Sequence, residues 1–175
     1  MPRPAGRVAI GLGSSLGDRT GTLTLAVRQL AAHPQIALLR ASHWVRTPPL
    51  AGGTARNWFA NGVVLVDTTL SPQALLDRCV ALEAEAGRRR GRRWMDRPLD
   101  LDLLLAEGLV VDTPRLVLPH PAIGRRRFVL EPLLEVWPDA VDPASGQAYA
   151  ALPRAPGPAP VPIGMLGPRW PLRYL

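Results

Sequence analysis

Two aspartates separated by one residue, Asp100 and Asp102, form the pattern in this sequence with the clearest chemical potential. In a β-strand, residues i and i+2 point to the same face and lie about 6.5–7 Å apart, so both carboxylates would share one face. Carboxylates at this spacing can hold one or two Mg²⁺ ions, which complete their coordination with water and phosphate oxygens. The alternative is a solvated outer face of a strand, which requires no ligand.

A dense run of arginines directly precedes the aspartates. The chain has 21 basic residues and no lysine, and six of its arginines fall within positions 88–97: Arg88, Arg89, Arg90, Arg92, Arg93 and Arg97. Such a cluster either forms salt bridges with the aspartates or binds the same polyanion from the other side. A magnesium-bound triphosphate accounts for both signs of charge at one place. A nucleic-acid surface accounts for the arginines alone, and it predicts an affinity that falls steeply with salt and needs neither carboxylate.

Two other segments carry groups that could bind a flat, polar ligand. Phe59 and Asn61 share one predicted strand face, which places an aromatic plane beside an amide that both donates and accepts hydrogen bonds. A core phenylalanine and a structural asparagine would explain the same pattern. His120 lies between two prolines and is followed by three contiguous arginines at 125–127 and by Phe128. An isolated histidine is more often structural, but beside arginines it is a candidate contact for phosphate or ribose.

The glycine-rich segment GLGSSLG, at residues 11–17, resembles a dinucleotide-binding fingerprint only loosely, because its third glycine comes one residue late. A P-loop of the Walker type is excluded, since the chain has no lysine. We expect this segment to shape the start of the first helix.

The elements that must position these groups follow from hydrophobic periodicity and helix caps. Strands are predicted at residues 8–12, 36–45, 58–69 and 99–105, with a short partner of the last strand at 109–111. Helices are predicted at 19–32, at 72–86 and from residue 123 or 127 onward. Ser71 and Pro72 form an N-cap and first-turn pair for the second helix, and Gly87 ends it. This order predicts an α+β fold, a ferredoxin-like two-layer αβ sandwich with helices on one face of a mostly antiparallel sheet.

Length and composition favour one globular domain. The 175 residues carry a formal net charge of +7, and at this length a single substantial core is expected. We predict a domain over residues 1–152 and a separate tail over 153–175, where seven of 23 residues are proline. Cys79 falls in a helical apolar pattern and is expected to be a buried thiol. No apolar stretch approaches the roughly 20 residues of a membrane span, so a cytoplasmic protein is expected.

The motifs GSSLGD, RTPPL, FAN, E-x-x-x-GR, RW-x-x-RPLDLD and LPHP followed by RRF occur in that order between residues 8 and 138. Together they resemble the 6-hydroxymethyl-7,8-dihydropterin pyrophosphokinase family. The resemblance implies transfer of pyrophosphate from ATP to the hydroxymethyl group of the reduced pterin, with release of AMP, in folate biosynthesis. It further implies two Mg²⁺ ions and ATP as co-substrate. Apart from the resemblance, we expect a monomer without nucleic-acid or membrane partners.

The resemblance also implies a role for individual residues of this chain. The implied catalytic residues are Arg88, Arg97, Asp100 and Asp102, of which the two aspartates are the metal ligands. The implied nucleotide-binding residues are Glu83, Arg90, Trp94, Leu103, Arg115, His120 and Arg126. The implied pterin-binding residues are Thr47, Pro48, Leu50, Phe59, Asn61 and Phe128. A homologue that serves only as a scaffold is the alternative, although all the matched catalytic residue types are present.

Overall fold

The computed structural model describes residues 3–88 and 95–165. Within these ranges the helices are α1 (Arg19–Ala31), α2 (Pro72–Glu85) and α3 (Arg127–Val136). The strands are β1 (Gly6–Ser14), β2 (Ile36–Ala41), β3 (His43–Thr47), β4 (Phe59–Thr68), β5 (Asp100–Ala106), β6 (Val111–Asp112), β7 (Val117–Leu118) and β8 (Val161–Met165). The predicted existence and order of the main elements are therefore confirmed.

One antiparallel sheet organises the molecule. Its strands follow the spatial order β5-β1-β4-β3-β8, and β2 also pairs with β4. The predicted run at residues 36–45 is divided into β2 and β3 at Ser42, whose buried hydroxyl accepts a hydrogen bond from the Val63 N–H at 2.9 Å. Counted as one broken strand, β2 and β3 give the βαββαβ order of a ferredoxin-like sandwich. The predicted α+β class with a mostly antiparallel sheet is confirmed.

The sheet is covered on both faces. On one face, α1 and α2 pack against alternate residues of β1 and β5, including Ile10 and Leu101, and form the larger core. On the other face, α3 packs against β4 and β5 and forms a second core around Leu65, Leu105 and Leu133. The sequence predicted helices on one face of the sheet only, whereas α3 adds a second helical layer on the opposite face. Because α3 covers only one end of its face, the other end stays open.

Local sequence sets the ends of α2, as predicted. The Ser71 hydroxyl accepts a hydrogen bond from the Ala74 N–H at 3.3 Å, and Pro72 occupies the first turn. After the helix, Gly87 adopts a φ of 87°, in the left-handed region that glycine reaches without a steric penalty. The arginine-rich segment therefore begins at a sharply defined helix end.

The short strand after β5 was predicted with the wrong partner. We expected residues 109–111 to pair with β5, but β6 pairs with β7 in a separate two-stranded hairpin. The turn of this hairpin is closed by hydrogen bonds between the backbones of Thr113 and Leu116, which favour pairing of β6 with the segment that follows the turn.

Part of the proline-rich tail is an edge strand. β8 pairs with β3 at the end of the sheet, and all five of its residues are exposed.

In the described residues, no helix is long and apolar enough to cross a membrane. Cys79 is fully buried on α2, and burial, followed by the charge of Glu83, raises the pKa of its thiol to about 12.

Candidate active site

A cavity of about 550 Å³ opens on the sheet face that α3 leaves partly uncovered. Its floor is formed by β1, β4 and β5, and its walls by the loop after β3 and by the segment that leads into α3. Twelve of the predicted site residues line it: Thr47, Pro48, Leu50, Phe59, Asn61, Arg88, Arg97, Asp100, Asp102, His120, Arg126 and Phe128. The fold thus brings residues from five separate segments of the chain to one place.

Two glycines of β1 keep the floor of the cavity low. Gly11 lies opposite Asp102 in the sheet, and Gly13 lies between Asn61 on one side and Asp100 on the other. A Cβ atom at Gly13 would stand 3.1 Å from Asn61 Oδ1, which is tighter than ordinary contact. We predicted that this glycine-rich segment shapes the start of α1, and Gly17, with a φ of 61°, does precede the Asp18 N-cap directly; Gly11 and Gly13 line the cavity in addition.

Asp100 and Asp102 share one face of β5, and Leu101 lies on the opposite, buried face. Asp102 is exposed to the open volume of the cavity, where nearby protein atoms still displace part of the water around its carboxylate. Desolvation raises the pKa of Asp102 to about 7, and the neighbouring charges of Asp100 and Glu83 add to the effect. A cation bound between the two carboxylates would relieve this repulsion.

Two arginines hold Asp100 from either side. Arg88 Nη1 donates to Asp100 Oδ1 at 2.6 Å, and Arg97 Nη1 donates to Asp100 Oδ2 at 3.0 Å. Glu83 lies behind Arg88 and also forms an ion pair with it. Glu83 Oε1 accepts a hydrogen bond from the Leu101 N–H at 2.7 Å, and desolvation is the main reason that the pKa of Glu83 is raised.

An aromatic and amide wall lines the same cavity as the carboxylates. Phe59 begins β4, and Phe128 lies in the first turn of α3. Asn61 is buried, and its Nδ2 donates to Thr47 Oγ1 at 2.7 Å, which leaves Oδ1 on the side of Gly13. The hydrogen bond fixes the orientation of the amide before any ligand arrives.

Two hydrogen bonds fix His120, one through its backbone and one through its ring. Its backbone N–H donates to the Leu104 carbonyl at 2.7 Å, and its Nδ1 accepts from the Ala122 N–H at 3.1 Å. Because Nδ1 is an acceptor, the proton of the neutral ring is on Nε2, which makes Nε2 a donor. Desolvation and the charge of Arg126 lower the pKa of His120, so the neutral ring is favoured.

Five predicted site residues do not line the cavity as it is described. Glu83 lies behind Arg88, and Leu103 is buried in the larger core. Arg115 is exposed on the β6–β7 turn, where its Nη2 lies 2.7 Å from Asp77 Oδ1. Arg90 and Trp94 fall outside the described residues.

Sequence reasoning missed several contributors to this region, among them two glycines and one aspartate. Gly11 and Gly13 could have been found from their two-residue spacing, which places them on one strand face. Asp96 precedes Arg97 and contacts the loop after β3, and no motif in the sequence points to that contact.

A profile of the 7,8-dihydro-6-hydroxymethylpterin-pyrophosphokinase (HPPK) family matches residues 9–138. A 2-amino-4-hydroxy-6-hydroxymethyldihydropteridine pyrophosphokinase of Methylorubrum extorquens is 47% identical over 135 residues, which are 77% of this chain and 85% of the relative. The enzyme with the same name from Pseudomonas aeruginosa is 40% identical over 133 residues, or 76% of this chain and 82% of the relative.

Solved structures of related fold are more distant in sequence. The crystal structure of wild-type Plasmodium falciparum HPPK-DHPS superposes with a TM-score of 0.63 at 12% identity and covers 84% of this chain. This chain spans only 44% of that protein, so the likeness concerns the fold of one part of it.

Proposed function

Since the chain belongs to the 7,8-dihydro-6-hydroxymethylpterin-pyrophosphokinase family, and is therefore an ATP-dependent pyrophosphokinase of folate biosynthesis, we propose that its cavity holds both substrates side by side. The reaction transfers the pyrophosphoryl group of ATP to the hydroxymethyl group of 6-hydroxymethyl-7,8-dihydropterin and releases AMP. The observation that carries the proposal is the juxtaposition, in one cavity, of paired carboxylates, two arginines and an aromatic and amide wall.

The pterin is assigned to the wall formed by Phe59, Asn61 and Phe128. Aromatic side chains bind a flat heterocycle by stacking, and the fixed amide of Asn61 offers hydrogen-bonding groups to the polar edge of the ring. Thr47 orients that amide, and Pro48 and Leu50 close the side of the cavity.

The triphosphate and magnesium are assigned to the opposite side. Asp100 and Asp102 suit Mg²⁺, which accepts few protein carboxylates and completes its octahedron with water and phosphate oxygens. In the described ranges these carboxylates belong to no larger group of His, Cys, Asp and Glu ligands, and a metal that needs a full protein cage would fit less well. Two bound ions would supply Lewis-acid neutralisation of the phosphate charge. The presence and number of these ions are part of the proposal.

The catalytic work assigned to the protein is positioning and charge stabilisation. Arg88 and Arg97 can exchange their contacts with Asp100 for phosphate oxygens, which arginine binds in bidentate geometry. The neutral His120 ring can donate from Nε2 to a phosphate or ribose oxygen. With the pterin hydroxymethyl oxygen in line with the β-phosphorus, the main requirement is a fixed geometry.

The other nucleotide-side residues are assigned roles around the same cavity. Glu83 is assigned an indirect role through Arg88, and Arg126 a direct one from the cavity wall. Leu103 and Arg115 would need to contact the nucleotide from outside the described cavity, and Arg90 and Trp94 keep the roles implied by the family resemblance. A monomer that works in the cytoplasm, without a nucleic-acid partner, completes the proposal.

Replacement of either aspartate tests the metal assignment. We expect Asp102→Asn, which keeps the size of the side chain, and Asp100→Ala to abolish AMP release from Mg-ATP and the hydroxymethyl dihydropterin while the circular dichroism spectrum stays unchanged. Asp112→Asn is the matched control, because Asp112 is an exposed strand aspartate outside the cavity. Unchanged AMP release in both site variants would refute the metal assignment.

A further inference from the structure

Asp96 ties two parts of the cavity rim together. Its carboxylate accepts hydrogen bonds from the backbone N–H groups of Arg56 and Asn57, each at 3.2 Å, and from the side-chain amide Nδ2 of Asn57 at 2.9 Å. These donors lie in the loop between β3 and β4, about 40 residues away along the chain. Three hydrogen bonds thus converge on one carboxylate from a single short stretch of the loop.

Residues 51–57 of the loop between β3 and β4 have few other attachments. Within residues 51–57 the side chains are exposed or half-buried, and the turn is closed by a single long hydrogen bond from the Gly53 N–H to the Leu50 carbonyl at 3.3 Å. At the end of the loop, Arg19 Nε donates to the Trp58 carbonyl at 3.0 Å. A loop with so little burial depends on its polar contacts for a defined position.

Arg97, the neighbour of Asp96, has attachments of its own. Its backbone N–H donates to Ser15 Oγ at 2.8 Å, its carbonyl accepts from the Ser15 N–H at 2.9 Å, and its guanidinium contacts Asp100. Loss of the Asp96 carboxylate would therefore release the loop, whereas the hydrogen bond from the Ser15 N–H to the Arg97 carbonyl and the ion pair of Arg97 with Asp100, which do not involve that carboxylate, would remain.

The charge of Asp96 strengthens the attachment. Desolvation opposes the charged form, but the backbone N–H donors of Arg56 and Asn57, together with the side chains of Ser15 and Asn57, outweigh it and hold the pKa of Asp96 below its usual range. The carboxylate is ionised at neutral pH, and hydrogen bonds to an ionised acceptor are stronger than those between neutral groups.

We propose that Asp96 is a positioning residue for the pterin: it holds the loop between β3 and β4 so that Pro48 and Leu50 form a ready-made wall beside Phe59, which β4 holds in place. The inference rests on the pterin placement proposed above. Its consequence is selective, because the groups assigned to the nucleotide do not depend on this loop. Preorganisation of a wall lowers the entropic cost of binding and so acts on ligand affinity.

The test compares Asp96→Ala, Asp96→Asn and Asn57→Ala with the wild-type protein. We expect Asp96→Ala to raise the KM for the pterin, at saturating Mg-ATP, about tenfold, as loss of one charge-assisted hydrogen bond would. The Kd for ATP alone and kcat should change less than about twofold. Asp96→Asn keeps one acceptor oxygen and should lie between Asp96→Ala and wild type. Asp139→Ala, an exposed carboxylate beyond α3, is the matched control.

A double-mutant cycle and hydrogen exchange separate this role from a general loss of stability. Asn57→Ala should have a smaller effect than Asp96→Ala and should add nothing in the Asp96→Ala background, since both remove the same contact. Amide exchange should accelerate at Arg56 and Asn57 in Asp96→Ala while β4 stays protected.

Two outcomes would overturn the proposal: an unchanged KM for the pterin in Asp96→Ala, or an equal rise in the pterin KM and the ATP Kd. Phe59→Ala distinguishes this failure from failure of the pterin placement. If Phe59→Ala weakens pterin binding and Asp96→Ala does not, the positioning role of Asp96 is wrong. If neither variant does, the pterin placement itself is wrong, and the inference falls with it.

Discussion

The hydrogen bond between Thr47 and Asn61 gives a quantitative test of how the cavity recognises its ligand. Asn61 Nδ2 donates to Thr47 Oγ1 at 2.7 Å, and both residues are 7% exposed, so water cannot easily replace the hydroxyl. Thr47→Val removes this acceptor but keeps the shape of the side chain. Thr47→Ser keeps the acceptor and removes only a methyl group, which makes it the matched control.

The magnitude follows from the burial of the donor. An unsatisfied buried N–H costs about 1–3 kcal/mol, or roughly 5- to 150-fold in an equilibrium constant. If the amide stays in place, the cost lowers the melting temperature by about 2–4 °C per kcal/mol. If the amide turns towards a new partner, its groups no longer match the pterin and the cost appears as weaker binding. We expect both effects in Thr47→Val.

Calorimetry with the pterin and thermal unfolding followed by circular dichroism provide the two measurements. Thr47→Val should raise the Kd for the pterin at least about fivefold, whereas Thr47→Ser should stay within about twofold of the wild type. Equal losses in the two variants would show that the methyl group matters rather than the hydroxyl. Unchanged affinity and melting temperature in Thr47→Val would refute the argument that this hydrogen bond orients the amide.

Two further predictions concern the core. Gly62→Ala would place a Cβ atom 2.4 Å from the fully buried ring of Trp44, so we expect it to lower the free energy of unfolding by about 1–3 kcal/mol. Gly124→Ala is the control and should cost far less, because its Cβ atom meets only the tip of Leu152 at 3.1 Å. Similar losses of stability in the two variants, measured by thermal unfolding, would contradict this reasoning. Burial raises the pKa of Cys79 from 9.0 to about 12, so iodoacetamide at pH 8.5 should modify the thiol only after unfolding. The free energy of unfolding should fall as the pH rises from 9 towards 12, because only the unfolded thiol ionises in that range. Rapid modification of the folded protein would contradict the burial of Cys79.

Local chemistry made much of the fold predictable. The ends of α2 are set by Ser71, Pro72 and Gly87, whose effects act within one turn of the chain. The shared face of Asp100 and Asp102 follows from the two-residue period of a strand alone. These features needed no knowledge of the tertiary structure.

The features that could not be predicted depend on which distant segments meet. The turn between Thr113 and Leu116 brings β6 to pair with β7. The hydrophobic pattern of β6 alone does not distinguish β7 from β5 as its partner. Arg115 lies on that turn and pairs with Asp77 of α2, so its position follows from the hairpin rather than from any motif around it. The contact of Asp96 with Asn57 likewise exists only because two loops converge at the cavity rim.

The two arginines beside Asp100 differ in a way that bears on the metal test. Arg88 contacts both Glu83 and Asp100, so it keeps one carboxylate partner when it leaves the other. Arg97 pairs only with Asp100 among the described residues, and its guanidinium would lose that anchor in Asp100→Ala. Loss of activity in that variant could therefore arise from a displaced arginine as well as from a missing metal ligand. Asp102 forms no ion pair within the described ranges, and for this reason Asp102→Asn isolates the contribution of the carboxylate to metal binding.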